Sequence, residues 1–360
     1  MRSQLPREFP RSAASVRARS DPLEAHQSID VVVAGAGPAG STVARLLAVR
    51  GWCVTVVDPA PSGGNRLEIL SPTSGPAIEA LDLMDLLQDP AVARPCLGIH
   101  RRWGVMQTEI DDFFCHRGGA GFVIDRACFD IRLRAMAKAA GVSFVEGRVI
   151  NARRRNTEID TYVKTGSGEI TVSAAIAVDA SGRPSILARR LGARRLLVER
   201  LVAERRSLDE SRSPSQEPAW LYVEGSNASW SYGISGPDGR REEWAIYRDR
   251  SRSGASNLKR TNASSACLSQ AAGKGWLAIG DAAMSFDPIT SQGLVNALTT
   301  ALVAAGAILS SRSVCAATAS AYSEAVAATF RNSERGRAAV YGALNGIPTA
   351  TRMIHSPSEV

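Results

Sequence analysis

The chain has 360 residues, of which 44% are hydrophobic and 22% charged. That length predicts two domains or one large α/β unit with an insertion, and the composition excludes global disorder. The net charge of +8 is carried by 39 arginines against four lysines. The arginines are spread along the chain without interleaved aromatics, so nucleic-acid binding is not expected. Six scattered cysteines, with no CxxC pair and no His/Cys cluster, argue against disulfide staples and a bound metal, and predict a reducing, cytoplasmic compartment. The longest apolar stretch, residues 297–309, is shorter than the roughly 20 residues of a membrane span.

Residues 1–27 are rich in Arg, Ser and Pro and lack an apolar segment, so they read as a disordered extension rather than a secretory signal. From Ile29 to Ala34 a run that is apolar apart from Asp30 predicts a parallel strand buried on both faces. It leads directly into Gly35-Ala-Gly37-Pro38-Ala39-Gly40, then a helical pattern, then a second apolar strand ending in Asp58. The order of strand, glycines, helix, strand and acid is a dinucleotide-binding signature. Gly35 makes the tight turn, Gly37 lets a pyrophosphate approach the backbone and Gly40 allows close helix packing, with Pro38 and Ala39 opening the helix. Asp58, 23 residues after Gly35, is placed to accept hydrogen bonds from ribose hydroxyls, which suits NAD or FAD and disfavours NADP.

Far downstream, the short strand Trp276 to Ile279 runs into Gly280-Asp281, followed by Asp287-Pro288 and by Ser291-Gln292-Gly293 before a long apolar helix. This pattern resembles the glutathione-reductase-like FAD-dependent superfamily, and within it the aromatic hydroxylases and tryptophan halogenases. The resemblance implies FAD in extended form, with Asp281 after Gly280 on the ribityl chain and Pro288, Gln292 and Gly293 bordering the flavin ring. It extends to Arg66-Leu-Glu68-Ile-Leu-Ser-Pro, in the place of a flavin-adjacent loop, and to Arg126, whose equivalent contacts the cofactor; a surface salt bridge is an equally weighted reading of Arg126. At 179–185, Ser181 stands where the family normally has an aspartate before Gly182.

Alternating strands and helices predict a Rossmann-type three-layer α/β FAD-binding domain over 28–95, 120–192 and 265–345, interrupted by a smaller β-sheet substrate domain over 96–119 and 193–264. Within the latter, Ser229 to Ile234 and Glu243 to Arg248 pair as a hairpin across Pro237-Asp238-Gly239. Arg153 to Arg155 reads as an exposed loop, and 189–206, with seven arginines and Glu199 and Glu204, as a salt-bridged helix or a domain crossover. Residues 318–345 form an amphipathic helix and 346–360 a flexible tail.

The resemblance also bears on chemistry. Halogenases of this fold use a lysine between the Glu-containing loop and the substrate strands, but no lysine precedes Lys138. Of their Trp-x-Trp-x-Ile-Pro segment, Trp230-Ser-Tyr232-Gly-Ile234-Ser keeps the first Trp and the Ile. Halogenation is therefore disfavoured. The variant motifs look more like flavoproteins that mature protein-derived quinone cofactors. The expected function is an FAD-dependent monooxygenase that hydroxylates a tryptophan-like group, in a peptide or protein, through a flavin C4a-hydroperoxide. Trp103, Trp230 and Tyr232 are the candidate substrate-lining residues, and no side chain is assigned as acid or base. The electron donor is NAD(P)H or a separate flavin reductase, and the positive charge favours an acidic partner. The alternatives are a dehydrogenase or double-bond reductase similar to geranylgeranyl reductases, and a non-catalytic FAD-binding partner protein.

Overall fold

The computed structural model describes residues 29–59, 66–103, 108–116, 119–208, 217–225, 229–248 and 259–343. The expected extension at 1–27, the tail at 346–360 and most of the Ser-rich segment before the strand Lys259–Asn262 lie outside the described residues.

The run Ile29–Ala34 is the strand its composition predicts, with Val31, Val32 and Val33 fully buried. It lies in an eight-stranded sheet, parallel to Val54–Asp58 on one side and to the second half of Gly168–Asp179 on the other. Trp276–Ala278 and Ser143–Glu146 extend the parallel core outward. The 12-residue strand Gly168–Asp179 serves two layers. Its first half pairs antiparallel with Glu158–Thr165, and that strand with Arg148–Arg155, making a meander against the parallel sheet. Arg153, Arg154 and Arg155 are thus the exposed end of a strand and not a loop. The helix Pro38–Ala48 packs against Arg126–Ala139, Gly293–Ser311 and the sheet, with Ala44, Leu47, Ala301, Ala304 and Ile308 in the core. By length and composition alone, the 19-residue Gly293–Ser311 could cross a membrane, more than the stretch 297–309 suggested. Here its buried face belongs to the protein core, as expected of a central helix that is apolar nearly all round.

A second, nine-stranded sheet runs in the order Lys259–Asn262, Leu201–Leu208, Arg241–Arg248, Ser229–Ser235, Ala219–Gly225, Ala93–Trp103, Gly121–Asp125 and Leu67–Leu70, with Glu109–Asp112 on Ala93–Trp103. The expected hairpin is present, and Tyr232 lies opposite Trp244 in its register. All pairings are antiparallel except Ala219–Gly225 with Ala93–Trp103. Two partition boundaries differ from expectation. Leu67–Leu70 and Gly121–Asp125, expected in the cofactor domain, lie in the second sheet, where Gly121–Asp125 pairs with both Leu67–Leu70 and Ala93–Trp103. Local patterning identifies such strands but not their partners, which are about fifty residues apart in sequence. The arginine-rich stretch 189–206 proves to be the crossover: the short helix Ile186–Arg190, the strand Arg195–Leu197 and the start of Leu201–Leu208.

The helix Ala316–Ala343 spans both halves. Tyr322, Val326 and Phe330 are buried in the first core, as their spacing suggests, while Tyr341 enters the core of the second sheet.

Candidate functional site: a cofactor path ending in an aromatic cavity

The glycine turn shows three different packings. At Gly40 an added Cβ would lie 1.9 Å from the Gly35 carbonyl oxygen, and at Gly35, where φ is +102°, it would lie 2.4 Å from the Ala180 oxygen. A Cβ at Gly37 meets nothing within 4 Å. Gly35 and Gly40 therefore close the helix onto the sheet, whereas Gly37 leaves an open face at the start of Pro38–Ala48. No side chain caps that helix, so its first N–H groups keep their donors and its dipole end free for an anion.

Asp58 ends the second strand beside this turn. Its carboxylate accepts the Ala36 N–H at 2.7 Å and an Arg134 Nη2–H, while Arg134 Nε donates to the Ala36 oxygen at 3.0 Å. A carboxylate has about four lone-pair sites, so Asp58 retains acceptors for further hydroxyls. Arg134 carried no sequence signal, because it lies on a helix remote from the glycine motif. Asp58→Asn is expected to weaken FAD binding about tenfold, or ~1.4 kcal/mol, as measured by flavin fluorescence titration.

Gly280 carries the path onward. With φ at +55°, its added Cβ would come within 3.1 Å of Ala39 Cβ, and its N–H donates to Thr300 Oγ1 at 2.8 Å. The next residue, Asp281, opens onto a cavity of about 890 Å³ lined on the second sheet by residues such as Ile99, Leu221 and Trp230. Arg183 Nε stands 3.4 Å from the Asp281 carboxylate, and Arg195 donates to the Asp281 carbonyl at 3.1 Å. Ser181 braces this region, since its hydroxyl donates to Asp179 at 2.6 Å and accepts the Ile186 N–H at 2.9 Å, holding the turn that presents Arg183.

Pro288, Gln292 and Gly293 line the cavity on the Asp281 side. Gly293 begins a helix with no side-chain cap, and an added Cβ there also meets nothing within 4 Å. Trp103, Trp230 and Tyr232 all line the same cavity. Trp244 joins them: Trp230 and Tyr232 stack at 5.7 Å between ring centroids, Tyr232 and Trp244 at 6.1 Å, and the Arg205 guanidinium lies over Trp244 at 5.9 Å. Trp244 was legible in the hairpin register, since it faces Tyr232 across the turn. Burial pushes the Tyr232 hydroxyl pKa upward, and the nearby Glu68 and Glu242 carboxylates add to this. Tyr232 is accordingly a neutral wall group.

Arg66 lines the cavity through its pairing with Glu68 at 2.7 Å. Arg126 is absent from the lining. It is buried at 8% exposure and ion-paired with Glu68 at 2.6 Å and, through two guanidinium nitrogens, with Asp130 at 3.0 Å. Arg126 does form salt bridges, but they are interior and not the surface bridge expected as the alternative to a cofactor contact. Burial would raise the Glu68 pKa, but Arg126 and Arg66 hold it down at about 2. Glu68 is therefore a fixed negative charge at the cavity edge.

An uncapped helix with an open glycine face, an acid-ended strand beside it, and a Gly-Asp turn that touches Ala39 and opens onto the cavity are the features of a Rossmann-type binder of an extended dinucleotide. The open positions at Gly37 and Gly293 and the free acceptors on Asp58 fit FAD. The sequence profile of the lycopene cyclase protein family matches residues 30–201. LodB of Marinomonas mediterranea, described as an FAD-dependent oxidoreductase, is 27% identical over 324 residues, which cover 79% of this chain and 85% of LodB. Among solved structures, the flavin-dependent brominase Bmp2 superposes with a TM-score of 0.68 at 19% identity, covering 88% of this chain and 86% of its own. QhpG, a peptidyl tryptophan dihydroxylase essential for tryptophylquinone cofactor biogenesis, gives 0.67 at 22% identity, over 92% and 82%. A geranylgeranyl bacteriochlorophyll reductase-like protein of Thermoplasma acidophilum gives 0.71 at 19% identity, over 88% and 87%. At these identities the solved structures speak for the fold. The chain has the fold of FAD-dependent flavoproteins and resembles an FAD-dependent oxidoreductase over most of its length.

Proposed function

We propose that the protein is an FAD-dependent monooxygenase that hydroxylates an aromatic, tryptophan-like group carried in a peptide or protein. The observation that carries this reading is the cavity: Trp103, Trp230, Tyr232 and Trp244 line it together with Pro288 and Gly293, and none of its described lining residues is a lysine. Such a lining suits a flat aromatic guest, since stacked and edge-on ring contacts add to simple burial. The missing lysine favours hydroxylation over halogenation.

Bound FAD, reduced by NAD(P)H or by a separate reductase, supplies dioxygen activation: two electrons and two protons place one oxygen atom on the ring and release the other as water. The chain's own residues bind and orient. Gly37 and the first N–H groups of Pro38–Ala48 hold the pyrophosphate, and Asp58 holds the ribose. Asp281, steadied by Arg183, holds the ribityl chain. The uncapped N-terminus at Gln292 and Gly293 offers donors to negative charge on the ring. The aromatic wall excludes water from the guest.

The test is to incubate the reduced holoenzyme with an acidic tryptophan-containing peptide under isotopically labelled dioxygen. The expected result is labelled oxygen on the indole, with a rate that falls as salt is added because charge steering weakens with ionic strength. Peroxide alone, with saturation or desaturation of other substrates, would move the protein to the reductase alternative. A halogenated indole in the presence of halide would overturn hydroxylation. A holoprotein that no donor reduces would leave the non-catalytic alternative.

A further inference from the structure

We propose that Tyr341 is a positioning residue of the cavity, tying the Trp230 wall to the Asp287 loop through a directed hydrogen-bond chain. The proposal deepens the oxygen-transfer reading, on which the importance of Trp230 and Pro288 rests. The chain of bonds is a property of the protein alone. An indole N–H can only donate, so the 3.0 Å contact runs from Trp230 Nε1 to the Tyr341 oxygen. The Tyr341 proton is thereby directed to Asp287 Oδ2, at 2.7 Å. The other Asp287 oxygen accepts the Ile289 N–H at 3.1 Å, so the same carboxylate caps the turn Pro288–Thr290.

All three groups are removed from water, with Trp230 at 4%, Tyr341 at 5% and Asp287 at 1% exposure. A phenylalanine would fill the Tyr341 site if packing were its whole role, and a buried hydroxyl is costly unless partnered. The rest of the helix supports the arrangement. Ala339 and Val340 line the cavity, and the Ser333 hydroxyl donates to Gln292 Oε1 at 2.7 Å. Arg337 stands 3.8 Å from Asp287 Oδ2 and is itself paired with Glu199 and with Glu334, while Arg248 shares Glu199.

Burial pushes the Asp287 pKa up to about 6, against the pull of the Tyr341 hydroxyl, the Ile289 N–H and Arg337, with Glu199 adding to the rise. A proton on Oδ2 turns that oxygen from a charged acceptor into a weaker acceptor and a donor, so the charge-assisted Tyr341–Asp287 bond weakens or reverses and the tie between wall and loop loosens as pH falls through that value.

The experiment uses the FAD-loaded protein labelled with fluorotryptophan and read by fluorine NMR, the Trp230 signal being assigned through Trp230→Phe. In the unmodified chain that signal is expected to titrate with a midpoint near 6. In Asp287→Asn the titration disappears. In Tyr341→Phe the signal shifts, broadens and no longer titrates, and the ratio of peroxide to hydroxylated peptide rises several-fold. Ser333→Ala, which cuts the separate tie to Gln292, keeps the Trp230 titration and guards against a general loosening of the helix. A Tyr341→Phe protein whose Trp230 signal still titrates as before would overturn the proposal. If the oxygen-transfer reading fails, no hydroxylated peptide forms in any variant, and the NMR result stands or falls separately.

Discussion

Arg126→Met is expected to lower the stability of the FAD-free protein by about 3–5 kcal/mol, the usual cost of removing one partner from a buried ion pair. Glu68 and Asp130 would then face one another with the more exposed Arg66 as the nearest compensation. Thermal unfolding of the apoprotein measures this. A second change, Glu68→Gln, should recover a large part of the loss, because it removes one of the two stranded carboxylates. The pH dependence has a definite sign. With its folded pKa held near 2, below the usual 4.5, Glu68 contributes stability above about pH 4.5 that fades as pH falls toward 2. In Arg126→Met that contribution is gone, and the variant should instead be relatively more stable in mild acid. A variant whose apoprotein melts like the parent but no longer retains FAD would return Arg126 to the role of a cofactor contact.

Three glycines five residues apart at most should give opposite phenotypes. Gly40→Ala drives a Cβ to within 1.9 Å of a backbone carbonyl, which no side-chain adjustment relieves, and Gly35→Ala adds a positive φ to a 2.4 Å clash. Each is expected to cost about 3 kcal/mol or more, the upper end of overpacking, and to yield little soluble protein. Gly37→Ala meets no atom and keeps an ordinary φ of −71°. Its apoprotein should melt within about 0.5 kcal/mol of the parent, while FAD affinity falls at least tenfold, or ~1.4 kcal/mol. Equal FAD affinity in Gly37→Ala would sink the placement of the pyrophosphate at that open face.

The parts of the molecule readable from sequence are those whose physics is local. The run Ile29–Ala34, the glycine turn and Asp58 announce themselves because strand, turn and acid are contiguous, and the hairpin around Pro237-Asp238-Gly239 does so through turn chemistry. Trp103, Trp230 and Tyr232 stand out as aromatics on strands and do share the cavity. What stayed hidden depends on distant pairing. Leu67–Leu70 and Gly121–Asp125 look like any short apolar strands until their partners are known. Arg134 and Tyr341 sit on helices whose amphipathic pattern explains burial and says nothing of the carboxylate each one meets. The Arg126 roles separate once Glu68 and Asp130 are seen on either side of it, a juxtaposition that sequence spacing reveals for Asp130 alone.

The parallel seam between Ala93–Trp103 and Ala219–Gly225 has a consequence for how the protein is made. It joins segments more than a hundred residues apart, so the second sheet stays divided until the ribosome has delivered both. The cofactor path closes later still, when Gly280 reaches Ala39, and the Tyr341 tie comes after that. Contacts of such long sequence separation form slowly and leave unpaired strand edges exposed in the meantime. The flavin pocket therefore cannot be complete until residues from the last quarter of the chain, Gly280 and Tyr341 among them, are available to meet Ala39 and Trp230.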